Sequence, residues 1–425
     1  MKKFTVLLIA IVFSLIAVFS MTACDSDEIS NLADIDGIQS QLAQLQEDLA
    51  KNNAETDALK DQISQLEAQI EALKDGKSVS EKSYDKIKYI DANLSDRDCY
   101  HGENFNETQQ WIKDLALNAG YTQSAITTQD VTTTTYAKKD NLDESLSAVK
   151  SYTTDGKFYT RDGRKYIEDE NGDYVKASVV TENIIISKPG KSEKQIIVGA
   201  HYDGDGTGDN GSGIALAITT AEKLVNVKTP YTIKFVFFTA EEYGCYGSTA
   251  YANAMTDEEV ANTLYMINLD SLVCGDYCYI YGGVQDNDNK VVTQTEAYDN
   301  AMNIALSLGL DIHSNPWTWD NPEPDPENGG VPKYASPSTG NWSDHKGFKN
   351  RGIKYLYMEA TNWEIPGPYN EYDGYGETVL VGMLMNTEND YLEYIETYFP
   401  GRIQEHLYQF ATLLNALLVQ PKVNF

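Results

Sequence analysis

In the stretch AHYDGDGTGDNGSGIAL, which begins at Ala200, a histidine and three aspartates are crowded into glycine-rich chain directly behind the apolar run Ile196, Ile197, Val198. Acids follow two other apolar runs in the same way. Glu241 and Glu242 come after IKFVFFTA, and Asp270 closes TLYMINLD. A further histidine, His345, stands in NWSDHKGF. If the loops that carry His201, Asp203, Asp209, Glu241, Glu242 and Asp270 share one rim, their carboxylates repel unless a cation neutralises them. Two histidines with three carboxylates make a nitrogen and oxygen ligand set suited to zinc and tolerable for manganese or cobalt. Five ligands serve two metals bridged by one carboxylate, and a glutamate is left over. A carboxylate beside metal-activated water, but not itself coordinated, can take the proton as that water attacks.

Such residues meet only if the strands before them end together. Strand patterns are expected at 184–187, 195–200, 232–239, 263–270, 277–281 and 354–359, with helices at 106–117, 213–225, 248–254, 296–308 and 404–418. That alternation implies an α/β fold, a three-layer α/β/α sandwich around a central, mostly parallel mixed sheet. In open sheets of this kind ligands sit beyond the carboxyl ends of the strands. Residues 123–180 interrupt the pattern with Thr-rich chain and Asp-Gly and Asn-Gly turns, which reads as a β-hairpin insertion.

Ahead of the α/β region, Ile38, Leu42, Leu45, Leu49, Leu59, Ile63, Leu66, Ile70 and Leu73 follow a three-four spacing in which only Asn52 and Thr56 are polar. This is the pattern of an N-terminal coiled-coil helix over 35–77, closed by Asp75-Gly76 and open to homo-oligomer formation. At about 1.5 Å per residue it would form a stalk of roughly 50 Å. Lys2-Lys3 and the apolar run from Val6 to Phe19 read as a signal peptide over 1–23. Met21-Thr22-Ala23-Cys24 resembles a bacterial lipobox, so Cys24 is expected to carry lipid at the head of a linker over 24–34. The protein is then extracytoplasmic and lipid-anchored to the cell membrane. Cys99, Cys245, Cys274 and Cys278 allow several disulfide pairings, among which the sequence does not choose. With 33 basic against 64 acidic residues the net charge is -31, which disfavours nucleic acid and suits neutral or cationic partners.

The segments AHYDGDGTGDNGSGIALAITTAEKL, IKFVFFTAEEYGCYGS, YMINLDSL and NWSDHKGFKNRGIKYLYME resemble, in order and approximate spacing, the motifs of the secreted bacterial co-catalytic zinc aminopeptidases, relatives of glutamate carboxypeptidase and glutaminyl cyclase. The resemblance spans 84–425. It implies two Zn2+ (or Mn2+ or Co2+), with His201 and Asp270 on one, Glu242 and His345 on the other and Asp209 as the bridge. It makes Glu241 the general base and Asp203 the acid that orients His201. The implied substrates are peptides with a free N-terminus.

Departures from the family pattern stand beside these matches. The interval from His201 to Asp209 is short, and Gly204, Gly206 and Gly208 must help it turn. Where the family often carries His-Thr-x-x-Asp near the C-terminus, this chain has NTEND, with Asn386 in place of the histidine. The insertion has no assigned counterpart. Three rivals share the fold: a glutaminyl cyclase, a carboxypeptidase, and a non-enzymatic surface binding protein. A carboxypeptidase wants a cationic clamp for the substrate carboxylate, and Arg351 is the only arginine near a motif. A serine hydrolase is excluded by the lack of a Gly-x-Ser-x-Gly elbow around Ser212.

Overall fold

The computed structural model describes residues 35–51, 56–322, 331–365 and 376–419. The signal peptide, the lipobox and the linker lie outside these residues. The chain divides into two compact units, one of residues 1–73 with 305–310 and one of 74–304 with 311–425. Among the described residues no helix is long and apolar enough to cross a membrane.

The described part of the first unit is helical, with α1 at Ile35–Lys51 and the opening turns of α2, Thr56–Asn93. Ile38, Leu66, Ile70 and Leu73, all at the apolar positions of the repeat, are buried. The helix does not stop at Asp75-Gly76, as the sequence suggests, but continues to Asn93. Gly76 marks a close crossing instead. A Cβ there would lie 2.7 Å from the Thr412 Cα on the last helix of the second unit, so only glycine lets the two backbones approach.

The second unit is built on a nine-stranded sheet. In chain order its strands are β1 Ile126–Lys138, β2 Ser151–Asp162, β3 Lys165–Glu168, β4 Tyr174–Lys188, β5 Ser192–His201, β6 Tyr231–Phe238, β7 Thr263–Leu269, β8 Tyr277–Tyr281 and β9 Tyr355–Thr361. The spatial order is β3-β2-β4-β6-β5-β7-β9-β8, with β1 also on β4. Its centre is parallel, β5 pairing with β6 and β7, and β7 with β9. Antiparallel strands are added on both sides, β4 beyond β6 and β8 beyond β9. Ile196, Ile197 and Val198 of β5 are fully buried, as a strand covered on both faces requires. Each such side chain contributes about 1.5–3 kcal/mol by leaving water.

Helices α3 Phe105–Ala119, α4 Gly211–Leu224, α5 Tyr246–Ala254, α6 Glu296–Leu308, α7 His345–Asn350 and α8 Arg402–Val419 accompany the strands. Gly120 ends α3 in a left-handed conformation at φ 111°, donating to Ala116 and Leu117. The insertion is not a separate module. β1 pairs with β4 along its length, and β2 takes the other edge of β4 from Tyr174 to Val180, so the hairpin extends the main sheet.

Candidate metal centre

His201 is the last residue of β5, Glu241 and Glu242 follow β6 by three and four residues, and Asp270 directly follows β7. Because these three strands are adjacent and parallel, their carboxyl ends bring the side chains to one rim. Asp209 comes from the loop between β5 and α4, with Asn210 capping that helix through its side chain to the Gly213 N–H.

His201 Nε2 lies 3.1 Å from Asp209 Oδ1 and 3.2 Å from Asp270 Oδ1. Two ligand atoms each about 2.0–2.1 Å from a tetrahedral zinc are about 3.3 Å apart, so the donors stand at the spacing such an ion needs. One ligand atom from each of His201, Asp209 and Glu242 lies within 4.8 Å of the others. The residues therefore fit a divalent cation. The sequence-derived ligands His201, Asp209, Glu242 and Asp270 are brought together.

His345 is fully buried and feels the charge of Asp270, but its hydrogen bond and ring contacts lie elsewhere. Its Nε2–H donates to the Gly340 carbonyl at 2.7 Å, and its ring is stacked against Tyr355 and Tyr357 at 4.7 and 4.9 Å. Its Nδ1 is buried with no hydrogen-bond partner among the described residues. The motif reaches the centre through the two residues before it. The Ser343 hydroxyl donates to Asp270 Oδ2 at 2.5 Å. Asp344 is fully buried, lies beside the Ser248 side chain, and is close enough to feel His201 and Asp270.

Asp203 holds the glutamate pair. Its carboxylate accepts the backbone N–H groups of Glu241 and Glu242 at 3.1 and 3.3 Å. Toward His201 it offers its backbone carbonyl, 3.2 Å from Nδ1, with the carboxylate farther off at 3.7 Å. The imidazole is thus oriented with Nδ1–H toward Asp203 and Nε2 toward the acids. Glu241 has its Oε1 3.3 Å from the Cys245 thiol, which donates to it.

The electrostatics are those of crowded acids, with His201, Asp209 and Asp270 buried and Glu242 exposed at the rim. Burial alone would lower the His201 pKa, but Asp270, Asp203 and Asp209 outweigh it and hold the imidazole well above its ordinary value. Burial and then repulsion from Asp270 raise Asp209, and burial with the nearby Asp209 pushes Glu242 up to about 8. Glu241 is raised mainly by burial. Asp270 resists its own burial through His201 and lies below the usual carboxylate range. A divalent cation among these oxygens would favour their charged forms.

Several supports went unseen in the sequence. Asp390 accepts the N–H groups of Gly208 and Asp209 at 2.7 and 2.9 Å and so fixes the loop that presents Asp209. Gly208 leaves room for this, since a Cβ there would lie 2.1 Å from Cys274 Sγ. Arg97, fully buried, donates to the carbonyls of Gly206 and Leu94 at 2.7 Å each and lends positive charge beneath the loop. Asp390 is the last residue of NTEND and could have been found from that segment, whereas nothing local marks Arg97. In the same segment the Asn386 side-chain amide lies 3.4 Å from Asp209 Oδ2. Cys99, Cys245, Cys274 and Cys278 are all buried and form no disulfide.

Residues 183–375 match the profile of Peptidase family M28. The alkaline phosphatase isozyme conversion protein of Escherichia coli K12 is 30% identical over 251 residues, which cover 53% of this chain and 67% of that protein. Leucine aminopeptidase 2 of Trichophyton rubrum is 38% identical over 97 residues, 22% of this chain and 20% of the fungal protein, so the match spans only about a fifth of that relative. Among solved structures, BSAP, a zinc aminopeptidase from Bacillus subtilis, superposes with a TM-score of 0.50 at 15% identity, covering 81% of this chain and 96% of that one. An M28 peptidase precursor from Shewanella amazonensis SB2B gives 0.51 at 13% identity, covering 84% and 96%. These two likenesses are of fold.

Proposed function

The chain belongs to peptidase family M28, and from that premise we propose that it is a metal-dependent aminopeptidase that removes N-terminal residues from peptides. The observation that carries this reading is the convergence of His201, Asp209, Asp270 and Glu242 on one rim with Glu241 beside them. When bound there, zinc supplies polarisation of the scissile carbonyl and acidification of a water molecule. Glu241, held by Asp203 through its backbone N–H, accepts the proton of the attacking water and delivers it to the leaving amine. His201, Asp209, Asp270 and Glu242 would hold the metal. Two zinc ions are the reading that the sequence resemblance implies.

The acid-rich rim favours a substrate ammonium group over a carboxylate. Arg351, which stands near a motif, and Arg97, which lies beneath the loop, are both engaged elsewhere. Arg351 donates to the Met255 carbonyl at 3.1 Å, and Arg97 is buried on Gly206 and Leu94. We also propose that lipid on Cys24 displays the enzyme outside the cytoplasm, with association of copies through the heptad helix.

Mass spectrometry of a peptide mixture incubated with the full chain, with and without a chelator, tests this. Chelator-sensitive loss of N-terminal residues is expected. Loss of ammonia from N-terminal Gln would identify a cyclase, and C-terminal trimming a carboxypeptidase. No change with metal bound would leave a binding protein.

A further inference from the structure

Glu241 can take a proton from water only if its carboxylate is presented in one direction, and fixing the backbone alone does not achieve that. The main chain is held by Asp203, whose carboxylate accepts the Glu241 N–H at 3.1 Å. The Glu241 carboxylate sits at the end of a flexible side chain whose last torsion is broad and roughly two-fold. Among the described residues, the hydrogen bond that this carboxylate accepts comes from the Cys245 thiol, 3.3 Å from Oε1. With Oε1 taken, Oε2 is the oxygen that can meet a water.

The thiol is itself placed by the backbone. Between β6 and α5 the chain turns tightly, the N–H groups of Gly244 and Cys245 donating to the Glu241 carbonyl at 2.7 and 2.8 Å and that of Tyr246 to the Ala240 carbonyl at 3.1 Å. The Cys245 carbonyl accepts the Thr249 N–H at 3.1 Å and the Ser248 hydroxyl at 3.2 Å, at the start of α5. Closing this turn sets Cys245 at φ 58°, in the left-handed region where a side chain is costly and glycine or asparagine is the easier choice. The position nevertheless carries a cysteine, buried and reaching back over the turn to the residue four before it. Burial, and then the nearby Glu241 and Asp344, push the thiol up, so it keeps the proton it donates.

We propose that Cys245 is a positioning residue for the reaction: its thiol clamps Oε1 of Glu241, so that the other carboxylate oxygen is presented to the water. Cys245 acts through Glu241 alone. The inference rests on the metal-aminopeptidase reading, in which Glu241 is the base, and adds to it the group that aims that base.

The test compares kcat and KM of the zinc-loaded full chain, using the peptide of the test mixture that it cleaves fastest. Cys245→Ala keeps a Cβ at the strained position and removes the donor. It should lower kcat by about 10–100-fold, the scale of a small misplacement of a reacting group, with KM and bound zinc little changed. Cys245→Ser restores a donor and should recover part of that loss. In a Glu241→Gln background Cys245→Ala should cost nothing further, because both changes then remove one function. A separate reading needs no turnover. The infrared S–H stretching band that Cys245→Ser abolishes should move to higher frequency in Glu241→Gln, where the charged acceptor is gone. A near-normal kcat in folded Cys245→Ala would overturn the inference, as would no recovery in Cys245→Ser or an S–H band that Glu241→Gln leaves in place. A loss of zinc or a rise of KM that accounts for the lost activity would make Cys245 a structural residue, and so would an equal loss in the Glu241→Gln background. A wild-type chain that cleaves no peptide with zinc bound would remove the aminopeptidase reading together with this inference, whereas intact wild-type cleavage with full kcat in Cys245→Ala would remove the inference alone.

Discussion

His201 and His345 are equally buried, and their surroundings push them in opposite directions. His201 ends a central parallel strand among Asp203, Asp209 and Asp270, and these acids hold its imidazole well above the ordinary range. His345 begins a short helix, lies against two tyrosine rings and is pushed down to about 3 by burial. His201 has carboxylates around it and Nε2 facing them. His345 is kept neutral, uses Nε2 on a backbone carbonyl and leaves Nδ1 without a hydrogen-bond partner among the described residues.

The largest effect expected from this contrast is in metal content. His201→Ala should lose the retained zinc and drop turnover to background, while His345→Gln should keep its zinc. Loss of zinc in both would show that the two regions act as one. Next comes Glu241→Gln, which keeps the shape of the side chain and removes the proton acceptor. Turnover should fall by about 10^2–10^4-fold with zinc content and KM little changed. A near-normal rate would exclude Glu241 as the base.

The strands that carry His201, Glu241, Glu242 and Asp270 are legible because continuous apolar runs such as Ile196 to Val198 end abruptly in glycine and acid. Their mixed pairing at the sheet edges is not, since the hairpin strands β1 and β2 both dock on β4 through long-range backbone bonds that no local pattern announces. Gly76 looks like a helix stop because a glycine after aspartate usually is one. Its reason is the Thr412 backbone, 336 positions away in sequence. His345 sits in the same motif as Ser343 and Asp344, so sequence points to the right segment. Which of three consecutive side chains turns toward the acids depends on the packing of Tyr355 and Tyr357.

Acid titration sharpens the contrast further. In the unfolded chain His345 titrates near 6.5, and folding lowers it to about 3. Between these values the unfolded state holds the extra proton, so the stability contributed by neutral His345 is complete above 6.5 and is lost as pH falls toward 3. The slope is about 1.4 kcal/mol per pH unit for one such group. His345→Gln should make acid unfolding of the metal-stripped protein shallower by that amount, measured by denaturant titration at several pH values. His406, also depressed to about 3 by burial, keeps its own share. An unchanged slope would mean that His345 is already protonated in the fold, and the contrast with His201 would fail.

The smallest expected effect concerns the layer beneath His345. The Tyr357 hydroxyl donates to Glu359 Oε1 at 2.8 Å, deep in the sheet. Tyr357→Phe keeps the ring that His345 stacks on and removes the hydroxyl with its bond to a buried carboxylate, at a cost of about 1–3 kcal/mol. Thermal unfolding should register that loss while retained zinc and kcat stay at wild-type levels. If the variant also lost zinc, the aromatic layer would be energetically tied to the acids around His201. Either His345, stacked on Tyr357, or the neighbouring Met358 carbonyl, which accepts the Asp270 N–H at 3.2 Å, would then carry that link.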